Sequence, residues 1–294
     1  MRPRAGLRTI RGMCRWLAYS GDPIPLEALI VQRKYSLIDQ SLHSRLGATT
    51  TNGDGFGVGW YDGVRAEPAL YRSVHPAWND RNLRELASHV SSPLFFSHIR
   101  ASTGTAVQET NTHPFRYGRW LFMHNGAVRE FPRVRRDLIM QIDPELIPAM
   151  EGSADSEVLF LLALTFGLED DAVTALERMV GLVEDVGEAH GVEHPIQMTV
   201  AATDGVRIIA ARYSSEGESR TLYFSTDAGA LKQRYADDDR IQQLSDEARA
   251  VVSEPLGDLE GVWNAVPESS IGIVQPGQDE MQSFTPRRGT AASV

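Results

Sequence analysis

The order of apolar patterns along the chain predicts an α+β fold in which two sheets pack on each other with helices outside. Strand patterns predominate up to residue 124, helical patterns from 134 to 189, and strand patterns again from 198. Short connections such as Asp204-Gly205 join neighbouring strands. This order differs from the regular strand–helix alternation of a doubly wound fold, so stacked sheets are the better prediction.

The individual elements follow from periodicity and turn signals. An apolar strand opens at Cys14 and ends at the turn residues 21–23, and a glycine-rich segment at 52–57 leads into a second strand. Gly57 and Gly59 fall on one face of that strand, which leaves this face open to close approach. Residues 36–53 are predicted to be a long loop, and Asp155 to be a helix N-cap. Further strands are predicted at 69–74, 94–100, 120–124, 198–202, 206–213, 222–225 and 270–274, and helices at 26–31, 82–90, 134–141, 155–166 and 172–189.

Composition indicates a cytoplasmic globular protein. Of 294 residues, 42% are hydrophobic and 23% are charged, which is ordinary for that class. No apolar run reaches the roughly 18 residues that a membrane span requires. The formal charge of −10 argues against nucleic acid as a partner, because phosphate binding needs clustered lysine and arginine. One cysteine excludes an internal disulfide and fits a reducing compartment.

The first thirteen residues differ from the rest of the chain. They hold four arginines and no acidic residue, and Met13 directly precedes Cys14. We expect residues 1–13 to be a leader or a misassigned start that is absent from the mature chain, so that Cys14 becomes the first residue. Residues 14–277 are then expected to form one domain, and the polar residues 278–294 a flexible tail.

An amino-terminal cysteine can form an amidase with few other groups. Its thiolate is the nucleophile, and its own α-amino group, with a pKa of about 7.7–8.0, can accept the thiol proton near neutral pH. The tetrahedral intermediate needs hydrogen-bond donors at its oxyanion. An amino-acid substrate needs a cation for its carboxylate and an anion for its ammonium group.

Five segments in order meet these needs. They are Met-Cys-Arg-Trp-Leu from Met13, Asn-Gly-Asp-Gly-Phe-Gly from Asn52, Ser-His-Ile-Arg-Ala-Ser-Thr from Ser97, His-Asn-Gly from His124 and Ser-Ala-Asp-Ser-Glu from Ser153. Together they resemble the class II, or amino-terminal nucleophile (Ntn), glutamine amidotransferases. The chain is most similar to stand-alone members such as the ergothioneine-pathway γ-glutamyl amidohydrolase, because no synthase domain follows.

The resemblance implies a fold and a role for each matching residue. The fold is the four-layer αββα sandwich of Ntn hydrolases. Cys14 is the nucleophile, and the Asn125 side chain and Gly126 backbone form the oxyanion hole. The substrate carboxylate binds Arg100, Thr103 contacts the same end, and the substrate ammonium binds Asp155. No cofactor and no metal are implied.

Simpler interpretations of the same residues remain open. Asn125-Gly126 is also a common hairpin turn pair, Arg100 also fits a surface cation, and Asp155 also fits a plain helix cap. His98, His113 and His124 lack the helical spacing typical of metal ligands, so we expect hydrogen-bonded structural roles for them.

The expected function is hydrolysis of the γ-glutamyl amide of glutamine, and the alternative is hydrolysis of a larger γ-glutamyl conjugate. Ala101 and Gly104 stand where synthase-linked relatives carry larger residues, which favours an open pocket. Two further hypotheses are an ammonia-donating subunit that serves a separate synthase and, if the leader is retained, a non-catalytic binding protein. In that last case Cys14 has no free α-amino group to act as the base.

Overall fold

Two antiparallel sheets form the centre of the protein in a computed structural model that describes residues 14–32, 35–42, 52–101 and 105–289. The strands of the first sheet, in spatial order, are β11 (Trp263–Ala265), β9 (Tyr223–Ser225), β10 (Arg249–Val252), β1 (Arg15–Pro25), β4 (Ser91–Ile99), β2 (Phe56–Tyr61) and β3 (Ala69–Ser73). Those of the second sheet are β13 (Glu280–Ser283), β12 (Ser270–Val274), β8 (Ile208–Ser214), β7 (Ile196–Thr203), β6 (Trp120–Val128) and β5 (Phe115–Tyr117).

The sheets face each other across an apolar layer. Side chains alternate along each strand, so one face of β1 contributes Trp16 and Ala18 to this layer, and β6 contributes Leu121 and Met123. On β2, Gly57 and Gly59 are required because Cβ atoms there would overlap the His113 carbonyl and the Leu121 side chain. The predicted close approach at these glycines is therefore confirmed.

Helices cover the outer face of each sheet. Their bounds are α1 (Glu27–Ile30), α2 (Leu37–Leu42), α3 (Arg81–His89), α4 (Phe131–Ile139), α5 (Asp155–Thr165), α6 (Ala172–Ala189), α7 (Ala228–Arg234) and α8 (Asp239–Gln242). The first three helices pack on the first sheet, and α4, α5 and α6 pack on the second. The result is a four-layer αββα arrangement, so the predicted fold class is confirmed.

Three local expectations differ from the structure. Part of the predicted loop at 36–53 is α2, because Leu37 and Ile38 bury their side chains against the first sheet; residues 43–51 lie outside the described ranges. The link between β7 and β8 spans residues 204–207, since the Asp204 carboxylate accepts hydrogen bonds from the backbone N–H groups of Val206 and Arg207. Residues 280–283, assigned to a flexible tail, form β13, and the following Phe284 is buried.

Among the described helices, none combines the length and the apolar character needed to cross a lipid bilayer.

Candidate active site

Cys14 lies immediately before β1, on the face that looks toward the second sheet. Trp16 and Ala18, two and four residues later, belong to the layer between the sheets, and alternation places Cys14 on the same side. Its side chain is half-buried. The backbone N–H of Ala101, just past the end of β4, donates to Cys14 Sγ over 3.4 Å. The Cys14 thiol, which the sequence predicts to be the nucleophile, therefore lies at the edge of the layer between the two sheets.

The electrostatic surroundings keep the Cys14 thiol protonated at rest. Burial raises the pKa of the thiol, and this is the largest effect. Opposing groups lower the pKa by smaller amounts: the backbone N–H of Ala101 and the guanidinium groups of Arg220, Arg100 and Arg15. Because the thiolate is the reactive form, the site needs a base that removes this proton.

A buried ion pair fixes the backbone of Cys14. Arg15 Nε lies 2.6 Å from Glu254 Oε2, and both side chains are almost fully buried. The same guanidinium donates from Nη1 to the Cys14 carbonyl oxygen over 3.0 Å. Beside it, Ser253 Oγ accepts from the Trp16 backbone N–H over 3.0 Å. Residues 253–254 therefore hold the backbone of residues 14–16 in place.

Asn125 projects from β6 toward the first sheet. Leu121 and Met123 lie in the layer between the sheets, so alternation along β6 directs the Asn125 side chain into the same layer. Asn125 is buried, and its backbone carbonyl oxygen accepts a hydrogen bond from Thr199 Oγ1 on β7. Its carboxamide thus faces the layer in which Cys14 also lies.

The backbone N–H of Gly126 points to the edge of β6 that is not paired with β7. Successive N–H groups of a strand alternate in direction. The N–H of Arg129 donates to the Pro195 carbonyl on the β7 side, whereas that of Val128 donates to Asp155 Oδ2 on the other side. Gly126, two residues before Val128, therefore directs its N–H to the same side as Val128.

That edge of β6 is open because β5 is short. β5 pairs only three residues with β6, ending at Phe115 opposite Phe122, so the N–H of Gly126 has no neighbouring strand on this side. Glycine is required at this position, since a Cβ atom would overlap the Gln197 carbonyl oxygen and lie 2.6 Å from His124 Nε2. An amide side chain and a backbone donor are thus adjacent, as an oxyanion site requires.

Asp155 is the first residue of α5 and lies at the same open edge of β6. The sequence predicted Asp155 to be the N-cap of this helix, and that prediction is wrong. The N-cap is Ala154, because Asp155 already has helical conformation and its carboxylate turns back to β6. Oδ2 accepts from Val128 N over 2.9 Å and Oδ1 from Ser156 N over 2.8 Å. The carboxylate therefore ties the start of α5 to β6 and lies near Gly126.

Arg100 directly follows β4, lies close to Cys14 and is buried. Its Nη2 donates to Thr105 Oγ1 over 2.7 Å and to the Ala106 carbonyl over 3.0 Å. Asn111 Nδ2 donates to the same Ala106 carbonyl, also over 3.0 Å. The surface-cation interpretation is therefore wrong. Thr103 lies outside the described residues.

The three histidines form a buried group beside the site. His98 and His113 stack with ring centroids 4.2 Å apart, and His124 Nδ1 lies 2.8 Å from Ser156 Oγ. The expected hydrogen-bonded role therefore holds for His124, and the His98 ring interacts with the His124 backbone, whereas no described residue hydrogen-bonds to the ring nitrogens of His113. Burial lowers the pKa of His98 to about 3, and the pKa of His113 also lies well below its usual value. Within the described ranges, no group of three or more His, Cys, Asp and Glu side chains is arranged to hold a metal ion.

Two charged residues of the site had no sequence signal. Glu254 follows β10 in a segment that reads as a simple turn, and Arg220 lies in the connection between β8 and β9. Both reach the start of β1 from more than 200 positions away along the chain.

Comparisons with known proteins identify the family of the chain. The model of the class II glutamine amidotransferases matches residues 29–289. A probable glutamine amidotransferase from Saccharomyces cerevisiae, DUG3, is 34% identical over 289 residues, covering 88% of this chain and 81% of that protein. The γ-glutamyl-hercynylcysteine sulfoxide hydrolase of Mycobacterium tuberculosis is 26% identical over 232 residues, covering 77% of this chain and 87% of that protein.

A solved structure supports the same assignment. The glutamine aminotransferase class-II domain protein from Silicibacter pomeroyi superposes with a TM-score of 0.70 at 37% identity, covering 93% of this chain and all of that one. The family match spans most of the sequence. The chain is therefore an enzyme of the glutamine amidotransferase and γ-glutamyl hydrolase type and belongs to the class II glutamine amidotransferase family.

Proposed function

We propose that the mature chain begins at Cys14 and hydrolyses the γ-glutamyl amide of glutamine to glutamate and ammonia. The observation that carries this proposal is that the start of β1 and the strand β6, which belong to different sheets, face each other across the layer between the sheets. The thiol of Cys14 stands at the start of β1, and the Asn125 side chain and Gly126 N–H stand on β6.

The reaction begins with a proton transfer that the buried thiol requires. The free α-amino group of Cys14 takes the thiol proton, and the thiolate attacks the γ-carbonyl carbon to form an S–C bond. The oxyanion that develops accepts hydrogen bonds from the Asn125 carboxamide and the Gly126 backbone. The C–N bond then breaks, and the leaving amine takes the proton from the α-ammonium group.

The second half of the reaction releases glutamate. A water molecule gives a proton to the α-amino group and attacks the thioester carbon, and the S–C bond breaks to regenerate the thiol. In both halves Arg100 holds the substrate α-carboxylate in a charge-assisted pair, with Thr103 at the same end. Asp155 receives the α-ammonium group. Atoms balance with water as the only co-substrate, so no cofactor is needed.

A larger γ-glutamyl conjugate is the second candidate substrate. The Mycobacterium tuberculosis relative is named for a γ-glutamyl conjugate rather than for glutamine. In this chain Ala101, whose backbone contacts Cys14 Sγ, has a side chain of one methyl group. A small residue beside the nucleophile leaves room for a leaving group bulkier than ammonia.

Intact mass tests the nucleophile and the γ-glutamyl pocket together. The chain is produced from its native start and measured before and after treatment with 6-diazo-5-oxo-norleucine, an electrophilic glutamine analogue. We expect a mature chain starting at Cys14 with a single adduct, and no adduct in Cys14→Ala. A chain that retains residues 1–13 and takes up no adduct would contradict the proposal.

A further inference from the structure

His124 lies on the face of β6 that is turned toward α5. Side chains alternate along the strand, so His124 shares this face with Phe122, whose ring stacks on Phe160 of α5 with the centroids 5.2 Å apart. The His124 ring is buried, and its Nε2 lies 2.6 Å from the position that a Cβ atom at Gly126 would occupy. The histidine therefore lies between the proposed oxyanion strand and the first turn of α5.

A series of hydrogen bonds leads from this ring to the Asp155 carboxylate. His124 Nδ1 lies 2.8 Å from Ser156 Oγ, and Ser156 Oγ donates to Asp155 Oδ1 over 3.2 Å. The Ser156 backbone N–H donates to the same Oδ1 over 2.8 Å, and the Val128 N–H donates to Oδ2 over 2.9 Å. A buried imidazole, a hydroxyl and a carboxylate are thus connected in series.

The acceptor positions of the carboxylate show which of them remains for a ligand. An ionised carboxylate has about four positions for incoming donors, two on each oxygen. Ser156 fills both positions of Asp155 Oδ1, whereas Oδ2 accepts from Val128 alone among the described residues. The remaining position, on Oδ2, suits the ammonium group that the proposed function assigns to Asp155.

The single hydrogen of the Ser156 hydroxyl sets the direction of the series. Because this hydrogen is donated to Asp155 Oδ1, Ser156 Oγ can only accept from His124, so the ring carries its hydrogen on Nδ1. Burial lowers the pKa of the His124 ring, so the ring is neutral near pH 7 and has one N–H to donate. In the opposite arrangement the hydroxyl would be donated to Nδ1 and the ring N–H to the Gln197 backbone, which would leave Oδ1 without the hydroxyl.

We propose that His124 is a positioning residue for the ammonium site: its Nδ1–H directs the Ser156 hydroxyl to Asp155, which keeps Oδ2 turned to the substrate. This inference rests on the proposed hydrolysis of glutamine and adds a residue to it. In this role His124 does not touch the reacting atoms, and the covalent steps are unchanged. Loss of the contact between His124 and Ser156 should therefore weaken binding of the α-ammonium group and leave the chemistry at the γ-amide in place.

Two substrates that differ only in the α-amino group isolate this role. They are glutamine and glutaramate, which is glutamine without its α-amino group. We expect the mature unmodified enzyme to prefer glutamine by about 10- to 100-fold in kcat/KM, the range of a charge-assisted hydrogen bond. Ser156→Ala should reduce this preference by about 3- to 10-fold through a higher KM for glutamine, and should leave hydrolysis of glutaramate unchanged.

Replacements of His124 test the direction of the hydrogen bond. The carboxamide nitrogen of Asn can take the place of Nδ1, whereas that of Gln can take the place of Nε2. His124→Asn should keep most of the preference for glutamine, and His124→Gln should lower it as Ser156→Ala does. Because His124 acts through Ser156, the double variant His124→Gln with Ser156→Ala should lose no more than either single variant.

A matched control lies in the first sheet. Ser92 is buried at the opposite end of β4 from Arg100, and its hydroxyl donates to the Tyr61 carbonyl over 2.7 Å. Ser92→Ala also removes a buried hydroxyl, and the ratio of the two rates should stay at the unmodified value. Circular dichroism shows which variants are folded. If the His124 variants fail to fold, Ser156→Ala and Ser92→Ala still decide the question.

Each other outcome overturns the inference. An equal loss on both substrates would mean that His124 and Ser156 support the fold or the γ-amide end of the site. An unchanged preference in Ser156→Ala would mean that the opposite arrangement holds, and additive losses in the double variant would mean that His124 acts without Ser156. An unmodified enzyme that hydrolyses both substrates equally would remove the ammonium site and leave the hydrolysis of glutamine standing. Hydrolysis of neither substrate would remove the proposed function as well, so the two failures are distinguishable.

Discussion

The two sheets are supported in different ways. The second sheet, which carries Asn125 and Gly126, rests on a continuous apolar cluster formed with α4, α5 and α6. The outer face of the first sheet borders a cavity of about 800 Å³ lined by side chains that include Tyr19, Leu244 and Trp263. Apolar packing therefore positions the proposed oxyanion residues Asn125 and Gly126, whereas the position of Cys14 also depends on polar contacts.

Those polar contacts are concentrated at the start of β1. Arg15–Glu254 is a buried ion pair, and Ser253 bonds to the backbone of Trp16. Burial of a charge is costly unless it is paired, so these contacts also specify one position for the chain beside Cys14. The cavity lined by Tyr19, Leu244 and Trp263 thus adjoins the sheet that carries Cys14 on its outer face, and Cys14 does not line it.

Breaking the ion pair should have the largest effect. Glu254→Ala leaves Arg15 buried without its counter-ion and should lower the free energy of unfolding by about 3–5 kcal/mol. Loss of position at the Cys14 carbonyl should also reduce kcat by about 10- to 100-fold per folded molecule. Urea unfolding and active-site titration with steady-state kinetics measure the two effects.

The matched variant lies on the other side of the molecule. Leu162 in α5 is fully buried, and Leu162→Ala should lower the free energy of unfolding by about 2–5 kcal/mol. Its kcat per folded molecule should stay near the unmodified value, because α5 supports the oxyanion strand through many apolar contacts. Equal kcat losses in Glu254→Ala and Leu162→Ala would remove the contrast between the two sides.

Ser253→Ala should give an intermediate effect. The buried N–H of Trp16 loses its side-chain acceptor, at a cost of about 1–3 kcal/mol in the free energy of unfolding. The Ser253 backbone N–H still donates to the Trp16 carbonyl, so β1 keeps its place. Urea unfolding measures the change; a loss as large as that of Glu254→Ala would contradict the ranking.

Replacement of His98 should give the smallest effect, a change in how the free energy of unfolding depends on pH. His98 has a pKa of about 3 when folded, below its unfolded value near 6.5, so the unfolded state binds more protons between these values. The histidine therefore stabilises the fold above pH 6.5 and loses this contribution as pH falls toward 3. The slope is about 1.4 kcal/mol per pH unit for this ring.

His98→Phe should make the dependence on pH less steep by that amount. The measurement is urea unfolding at several pH values between 7 and 5. An unchanged slope in the variant would show that acid acts on other groups.

Local signals in the sequence were enough for the layers and for the segments that carry the chemistry. α6 runs from Ala172 to Ala189, as its periodicity predicts, and the described parts of the five motifs lie beside or within β1, β2, β4 and β6 and at the start of α5. Long-range contacts had no such signal. Glu254 is 239 positions from Arg15, and nothing near either residue specifies the other.

The orientation of α5 relative to β6 could also not be predicted from the sequence. The role of Asp155 as a tie to Val128, rather than as an N-cap, depends on how α5 meets β6 in space. The residue types at the start of a helix allow both arrangements, so only tertiary packing distinguishes them.

The short length of β5 has a consequence for which related sequences are expected to be active. β5 begins at Phe115 opposite Phe122, and in the same register the position opposite Gly126 would be Asn111. A hairpin lengthened by four residues at this point would place a strand residue opposite Gly126 and satisfy its N–H with protein instead of substrate. A relative could thus keep Cys14, Asn125 and Gly126 and still be inert, so activity depends on the length of this hairpin as well as on the identity of those three residues.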